Sequence, residues 1–263
     1  MSKFAVIPNL YKDPDLKITK DIEKILSDQN IKADVLEKYN GESLKDYDCA
    51  VVLGGDGTIL DVAKSAAVSN VPVAGINLGK IGYLASLEPE NIRRLSDVDL
   101  SSYQKRMMLE MEYRGKTYTA LNDIVIAEER ATRMMSLSVS ADGEIPCEYN
   151  SSALIFSTPT GSSGYNMSAG GPVIDPSLEC IAVTPVCAHT GTTRCCIYGS
   201  DVVFTAENVS SADKSVVVSA DGGDELPLEI GEKITIKKSG RFVKLLIFEN
   251  EPFAKTLIRK MKK

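Results

Sequence analysis

Up to about residue 95 the chain alternates short apolar runs with stretches of helical spacing; beyond it, strand-like runs follow one another. Lys3 to Pro8 reads as a strand, and Ile18, Ile22, Ile25 and Leu26 mark one face of a helix opened near Asp15 or Thr19. Lys32 to Leu36 gives a second strand. Cys49 to Leu53 is apolar enough for a strand buried on both faces. Ile59, Leu60, Val62, Ala63, Ala66 and Ala67 then recur at helical spacing, and Val71 to Ile76 is a further strand. This β-α-β alternation predicts a parallel sheet with helices on its faces. After the helix-like Pro89 to Leu95 come runs at Met107 to Tyr113, Tyr118 to Ala127, Met135 to Ala141, Ala153 to Ser157, Cys180 to Thr184, Val202 to Thr205, Ser215 to Ser219 and Lys233 to Lys237. They predict an antiparallel β domain, with turns at Ala141-Asp142-Gly143 and Lys238-Ser239-Gly240. Val243 to Phe248 and the helix-like Phe253 to Lys262 read as a strand and helix returning to the first domain. The expected class is therefore α/β plus all-β. Residues 1–98 and 243–263 form the α/β domain, and residues 99–242 the β-rich one.

The strand at Cys49 ends on Gly54-Gly55-Asp56-Gly57-Thr58 and restarts as a helix. Gly54, Gly55 and Gly57 let backbone come close to a ligand, since no Cβ stands in the way. The helix N-terminus that follows offers free N–H groups and partial positive charge, which suits phosphate. Asp56 is the odd member, because a carboxylate beside phosphate is unfavourable unless it handles a proton, a sugar hydroxyl or a cation. Its plain alternative is an N-cap. Ligands of parallel sheets sit beyond the carboxyl ends of the strands, where Asn9, the glycine turn and Asn77-Leu78-Gly79 would gather.

Composition narrows the class of function. With 263 residues, 43% hydrophobic and 25% charged, the chain fits two folded domains. Thirty basic against 36 acidic residues leave a net charge of −6, which argues against general nucleic-acid binding. No apolar run reaches the roughly 20 residues of a membrane span, and the start has no signal-peptide layout. A cytoplasmic protein without membrane partners is expected. Six cysteines without CxxC spacing read as buried free thiols, and the single His189, read as a satisfied structural histidine, cannot build a histidine-rich metal site.

The segment from Ser157 to Pro172, STPTGSSGYNMSAGGP, packs hydroxyls, glycines and one aromatic into 16 residues. A long loop of this kind in a compact domain is usually functional. Thr160, Ser162, Ser163 and the loop amides suit hydroxyl and phosphate groups, and Tyr165 suits stacking on a base or sugar. The chain nevertheless lacks GxxxxGK[ST], since Gly75 to Ile81 is one spacer short and has no hydroxyl after Lys80. GxGxxG is absent as well, and no GxSxG elbow supports a serine hydrolase.

GGDGT at 54–58 together with TPTGSSGYNMSAGGP at 158–172 closely resembles the NAD kinases of the ATP-NAD kinase family. Gly75 to Leu84, Leu121-Asn122-Asp123 and Thr184 to His189 extend the resemblance over nearly the whole chain. GGDGT alone is shared with lipid kinases and, loosely, with phosphofructokinases; the second motif is the specific one. The resemblance implies phosphoryl transfer from ATP, or in some members polyphosphate, to the 2′-hydroxyl of the adenosine ribose of NAD. Asp56 would accept the proton, as the catalytic residue. Gly54, Gly55, Gly57 and Thr58 would cradle phosphate oxygens, with Mg2+ or another divalent cation carried in on ATP. Asp56 and Gly57 would also face NAD, and Asn122 and Asp123 the ribose hydroxyls. Ser163, Gly164, Tyr165, Asn166 and Ser168 would line the NAD pocket, and Cys187 would pass the ligand through its backbone. A homodimer or homotetramer is implied too.

Two positions depart from the family pattern. Asp123 stands where glutamate is usual, which withdraws the charge by one methylene. Ser152-Ala153 stands where Asp-Gly is usual, so a hydroxyl replaces a carboxylate expected to contact the nucleotide. A lipid kinase built on the same turn, and a nucleotide sensor without turnover, are the competing expectations.

Overall fold

The structure, a computed structural model, describes residues 2–79, 82–130, 133–191, 193–248, 253, 255, 257 and 258. It divides into two compact units, residues 1–106 with 241–263, and residues 107–240.

The first unit contains β1 (Lys3–Ile7), α1 (Lys17–Asp28), β2 (Lys32–Val35), the short α2 (Gly41–Leu44), β3 (Cys49–Gly54), α3 (Asp56–Ser69) and β4 (Val73–Asn77). A 3-10 helix follows at Pro89–Asp97. β2, β1, β3 and β4 lie side by side and all pair in parallel. Every residue of β3 is buried, as befits a central strand with both faces covered. Phe4, Val6, Val51, Leu53 and Ile76 pack with Ile22 and Leu26 of α1 in one core. Full burial of each such side chain contributes about 1.5–3 kcal/mol. α1 opens between Asp15 and Thr19, with Lys17 its first residue. Leu16 takes the cap position in a left-handed conformation, and buried Asp13 instead accepts from Ile18 N, Thr19 N and Thr19 Oγ1 at 3.2, 2.9 and 2.7 Å.

The second unit is antiparallel throughout. Two long strands run across the division, β5 (Tyr103–Tyr113) and, at the far end of the chain, β17 (Lys233–Leu246). Between them come β6 (Lys116–Ala120), β7 (Asp123–Glu128), β8 (Met135–Ala141), β9 (Cys147–Ser151), β10 (Ala153–Ser157), β11 (Cys180–Val186), β12 (Thr190–Gly191), β13 (Cys196–Gly199), β14 (Phe204–Asn208), β15 (Val216–Ala220) and β16 (Leu226–Pro227). One sheet runs β13-β11-β10-β7-β15-β16, and a second joins β12, β9, β8, β14 and the start of β17. Their facing residues form one core, in which Phe204 of β14 packs edge-on against Phe156 of β10 at 5.3 Å and Tyr198 of β13 at 5.0 Å. The end of β17 adds to the first unit, where Leu245 pairs in parallel with Val73.

Three expectations need correction. Tyr118 to Ala127 is two strands, because the chain breaks at Leu121-Asn122 to meet a carboxylate on another loop. Lys238-Ser239-Gly240 is mid-strand, because β17 finds ladder partners on β14 before it and on β4 after it. The loop after β10 carries a 3-10 turn (Gly161–Ser163) and the single-turn helix α4 (Tyr165–Ser168). Residues 253, 255, 257 and 258 are helical, while the rest of the expected terminal helix, and Lys80 and Ile81, lie outside the described residues.

Candidate functional site

The site residues fall into two groups, one in each unit. In the first unit the β3-α3 turn places Gly55, not Asp56, at the helix cap, and Gly55 makes no side-chain cap. Asp56 is the first helical residue, and its carboxylate turns outward to a neighbouring loop. Oδ2 accepts from Tyr83 N at 2.7 Å and Oδ1 from Leu84 N at 3.0 Å. The N-cap alternative is therefore overturned. A carboxylate has about four acceptor positions, so two remain after these two bonds. Burial, followed by the Asp56 charge, pushes the Tyr83 phenol above its usual range.

The glycines of the turn divide by surroundings. A Cβ on buried Gly54 would lie 2.5 Å from Thr58 Cβ and Oγ1, so this glycine serves the close approach of the helix to the strand end. Around Gly57 nothing among the described residues lies within 4 Å of the same point, and the residue is exposed. Thr58 Oγ1 accepts from Asn9 Nδ2 at 2.9 Å, which fastens the loop after β1 to the turn. On that loop the Lys12 ammonium lies 3.0 Å from where a Cβ on Gly55 would stand and 3.5 Å from the equivalent point on Gly79. Leu78 N donates to Gly54 O at 2.7 Å, and Gly79 N to Asn77 Oδ1 at 2.9 Å. Asn77 Nδ2 in turn donates to both Glu88 oxygens, at 3.1 and 3.0 Å. Three loops beyond the strand ends do converge, as the parallel sheet implied. Lys12 escaped the sequence reading, because a lone lysine in a polar loop carries no pattern.

In the second unit the Asn122 backbone is fixed while its side chain stays uncommitted. Asn122 N donates to Asp221 Oδ1 at 2.7 Å, and Asn122 O accepts from Thr158 N at 2.9 Å. A Cβ on Gly161 would fall 2.1 Å from Asn122 O, so only glycine fits there. The half-buried Asn122 amide has no protein partner among the described residues. Asp123 is buried at the start of β7, paired in register with Ser157.

The 158–172 loop satisfies much of its own polarity. Ser162 Oγ donates to Pro159 O at 2.6 Å and accepts from Ile174 N at 2.8 Å. Asn166 is fully buried; Nδ2 donates to Ser162 O at 3.1 Å and Pro172 O at 2.9 Å, and Oδ1 accepts from Thr184 Oγ1 at 2.6 Å. The expectation that Asn166 lines a ligand pocket is corrected, since it braces the loop from within. Ser163, Gly164, Tyr165 and Ser168 are the residues that reach outward, with Tyr165 45% exposed and Gly164 and Ser168 exposed. Half-buried Ser152 is held through its backbone, its N donating to Val186 O and its O accepting from Glu128 N, both at 3.0 Å. Cys187 is exposed and adopts a φ of 50°. His189, expected to be a satisfied structural histidine, is exposed too. All six thiols are free, but only Cys49 is buried, and that burial pushes its pKa far up.

Among the described residues no group of three His, Cys, Asp or Glu is arranged to hold a metal, and no helix is long and apolar enough to cross a membrane. A parallel-sheet unit that offers amides and an anchored carboxylate at its glycine turn and a cation from the next loop, in a chain whose β unit carries a hydroxyl-rich loop, has the parts of a phosphotransferase acting on a nucleotide. The ATP-NAD kinase N-terminal domain model matches residues 3–98, and the C-terminal domain model residues 121–247. The NAD kinase of Lachnoclostridium phytofermentans is 34% identical over 274 residues, covering 96% of each chain. That of Natranaerobius thermophilus is 34% identical over 283 residues, covering 99% of this chain and 98% of its own. Among solved structures, an Archaeoglobus fulgidus NAD kinase in complex with ATP superposes with a TM-score of 0.82 at 25% identity, over 99% of this chain and 98% of its own. Yeast NADH kinase complexed with NADH shares the fold, with a TM-score of 0.77 at 21% identity over 100% of this chain and 87% of its own. The chain belongs to the ATP-NAD kinase family.

Proposed function

We propose that this chain transfers the terminal phosphoryl group of MgATP to the 2′-hydroxyl of the adenosine ribose of NAD, giving NADP, with Asp56 taking the hydroxyl proton. The observation that carries the role of Asp56 is its anchoring. Two backbone N–H groups, of Tyr83 and Leu84, hold the carboxylate still and leave it acceptor capacity for an incoming hydroxyl. Phosphoryl transfer passes through a loose transition state in which positioning and charge stabilisation dominate, so a carboxylate can act by orienting the hydroxyl and receiving its proton late. The open space at Gly57, the amides of the α3 N-terminus and the Lys12 ammonium receive the phosphates. Mg2+ arrives with ATP, since phosphate oxygens and water supply most of its coordination.

The uncommitted Asn122 amide and the Asp123 carboxylate take ribose hydroxyls, and Tyr165 lies against a ring of NAD with Ser163, Gly164 and Ser168 beside it. Ser152 offers the nucleotide a hydroxyl, and Cys187 contacts it through backbone. Family membership supports a homodimer or homotetramer working in the cytoplasm, which sedimentation and cell fractionation test. Incubating purified protein with NAD and MgATP, then separating nucleotides chromatographically, tests the activity. NADP accumulates with time if the reading holds. ATP turnover without NADP, or phosphorylation of diacylglycerol in its place, refutes it. Polyphosphate and NADH, substituted one at a time, define the donor and acceptor range.

A further inference from the structure

One carboxylate stands out among the polar groups with no part in the reaction above. Asp221 follows β15 in the left-handed region at φ 52°, with Gly222 at φ 63° behind it. Aspartate tolerates this conformation better than most side chains do. The turn aims its carboxylate at the break between β6 and β7. There Leu121 N donates to Oδ2 at 2.8 Å, and Asn122 N and Asp123 N both donate to Oδ1, at 2.7 and 3.1 Å. Asp221 N returns a bond to Asp123 O at 2.9 Å. From the other side Thr158 Oγ1 donates to Leu121 O at 2.6 Å, and Thr158 N to Asn122 O at 2.9 Å.

Every backbone polar group of Leu121, Asn122 and Asp123 named here ends on Asp221 or Thr158. A break between strands of two different sheets, as here, normally exposes such groups to water or leaves them costly to bury. Here the break is held open and rigid. The residue at its centre is Asn122, whose side-chain amide is the uncommitted group. The two Asp221 oxygens do what no neutral side chain at 221 can. An asparagine would set its NH2 against at least one backbone N–H, two donors facing each other.

We propose that Asp221 is a positioning residue for nucleotide binding: it locks the Leu121-Asn122-Asp123 backbone so that the Asn122 amide is preset toward the ribose of NAD. This rests on the assignment of Asn122 to the ribose. Preset groups bind more tightly because less freedom is lost on association.

The test is a kinetic cycle with wild type, Asn122→Ala, Asp221→Asn and the double variant. It measures KM for NAD and for ATP, kcat, direct NAD binding by calorimetry, and thermal unfolding. Asp221→Asn raises KM and Kd for NAD about tenfold, ~1.4 kcal/mol, leaves KM for ATP within about twofold, and adds little when Asn122 is already alanine. A merely structural role would raise both Michaelis constants or only lower the unfolding temperature, and would be additive with Asn122→Ala. Either pattern overturns the positioning role while Asn122 keeps its own. If Asn122→Ala leaves NAD affinity unchanged, the ribose assignment fails and the proposal falls with it. Should Asp221→Asn not fold, Thr158→Val carries the same test from the opposite side of the break, with an NAD-specific loss expected and a loss shared with ATP contradicting it.

Discussion

The glycine turn of the first unit and the 158–172 loop of the second are both written in small and polar residues, and they use them in opposite ways. In the turn the reactive groups stay free. Gly57 faces open space, Lys12 lies against backbone, and Asp56 is tethered through only part of its acceptor capacity. In the loop many polar groups are spent on the loop itself. Ser162, Asn166 and Thr158 all bond within the protein, and Asn166 is wholly buried. A helix N-terminus supplies a ready-made anion site, so the turn needs little scaffolding. A long segment without a sheet ladder must satisfy its own backbone and side chains before it can hold any shape for a ligand.

Four substitutions break or sharpen this contrast. Asp56→Asn keeps shape and hydrogen-bonding reach but deletes the charge and the capacity to take a proton. Turnover should fall by about 100-fold or more, while ATP and NAD binding measured by calorimetry survive. A folded variant that retains more than about a tenth of turnover, under ~1.4 kcal/mol of barrier, would return Asp56 to a purely structural role.

Asn166→Ala acts the other way. It takes the Asn166 amide from Ser162 O and Pro172 O and leaves the buried Thr184 Oγ1 only Cys195 Sγ, at 3.0 Å, and should lower unfolding free energy by about 2 kcal/mol in urea titrations. A stable variant with selectively weakened NAD binding would restore Asn166 to the ligand. Lys12→Met should raise KM for ATP about fivefold and leave that for NAD unchanged, and the difference should shrink at high salt because the group is exposed. Equal shifts for both substrates would separate Lys12 from the phosphates. Tyr165→Ala should have the smallest effect, raising KM for NAD about threefold with KM for ATP unmoved, on the scale of one ring contact.

Much of this was legible from residues alone, and the misses have physical causes. The first unit follows from period, since β1, α1, β3 and α3 each carry a regular apolar pattern that their burial reproduces, while the edge strand β2 has no buried residue. β9, with the sequence CEYNS, was missed because only Tyr149 and Ser151 of that run are buried and nothing in it alternates cleanly. The split of Tyr118 to Ala127 depends on Asp221, about 100 positions away, which no local pattern encodes. At the site, Asp56 could be singled out as the one charge in a glycine turn. Its partners Tyr83 and Leu84 could not, because they act through backbone N–H groups that any residue carries. Asn166 lies in the same dense motif as Tyr165, and only burial tells the brace from the outward-facing ring.

The most direct test of the account is where the new phosphate goes. Purified protein is incubated with NAD and MgATP, and the product is analysed by phosphorus and proton NMR beside the same reaction run with Asp56→Asn. The account predicts one new phosphomonoester, coupled to the 2′ proton of the adenosine ribose, formed by the wild type and reduced by about 100-fold or more in the variant. A phosphate on the nicotinamide ribose, cleavage of the NAD diphosphate, or equal rates from both proteins would contradict it.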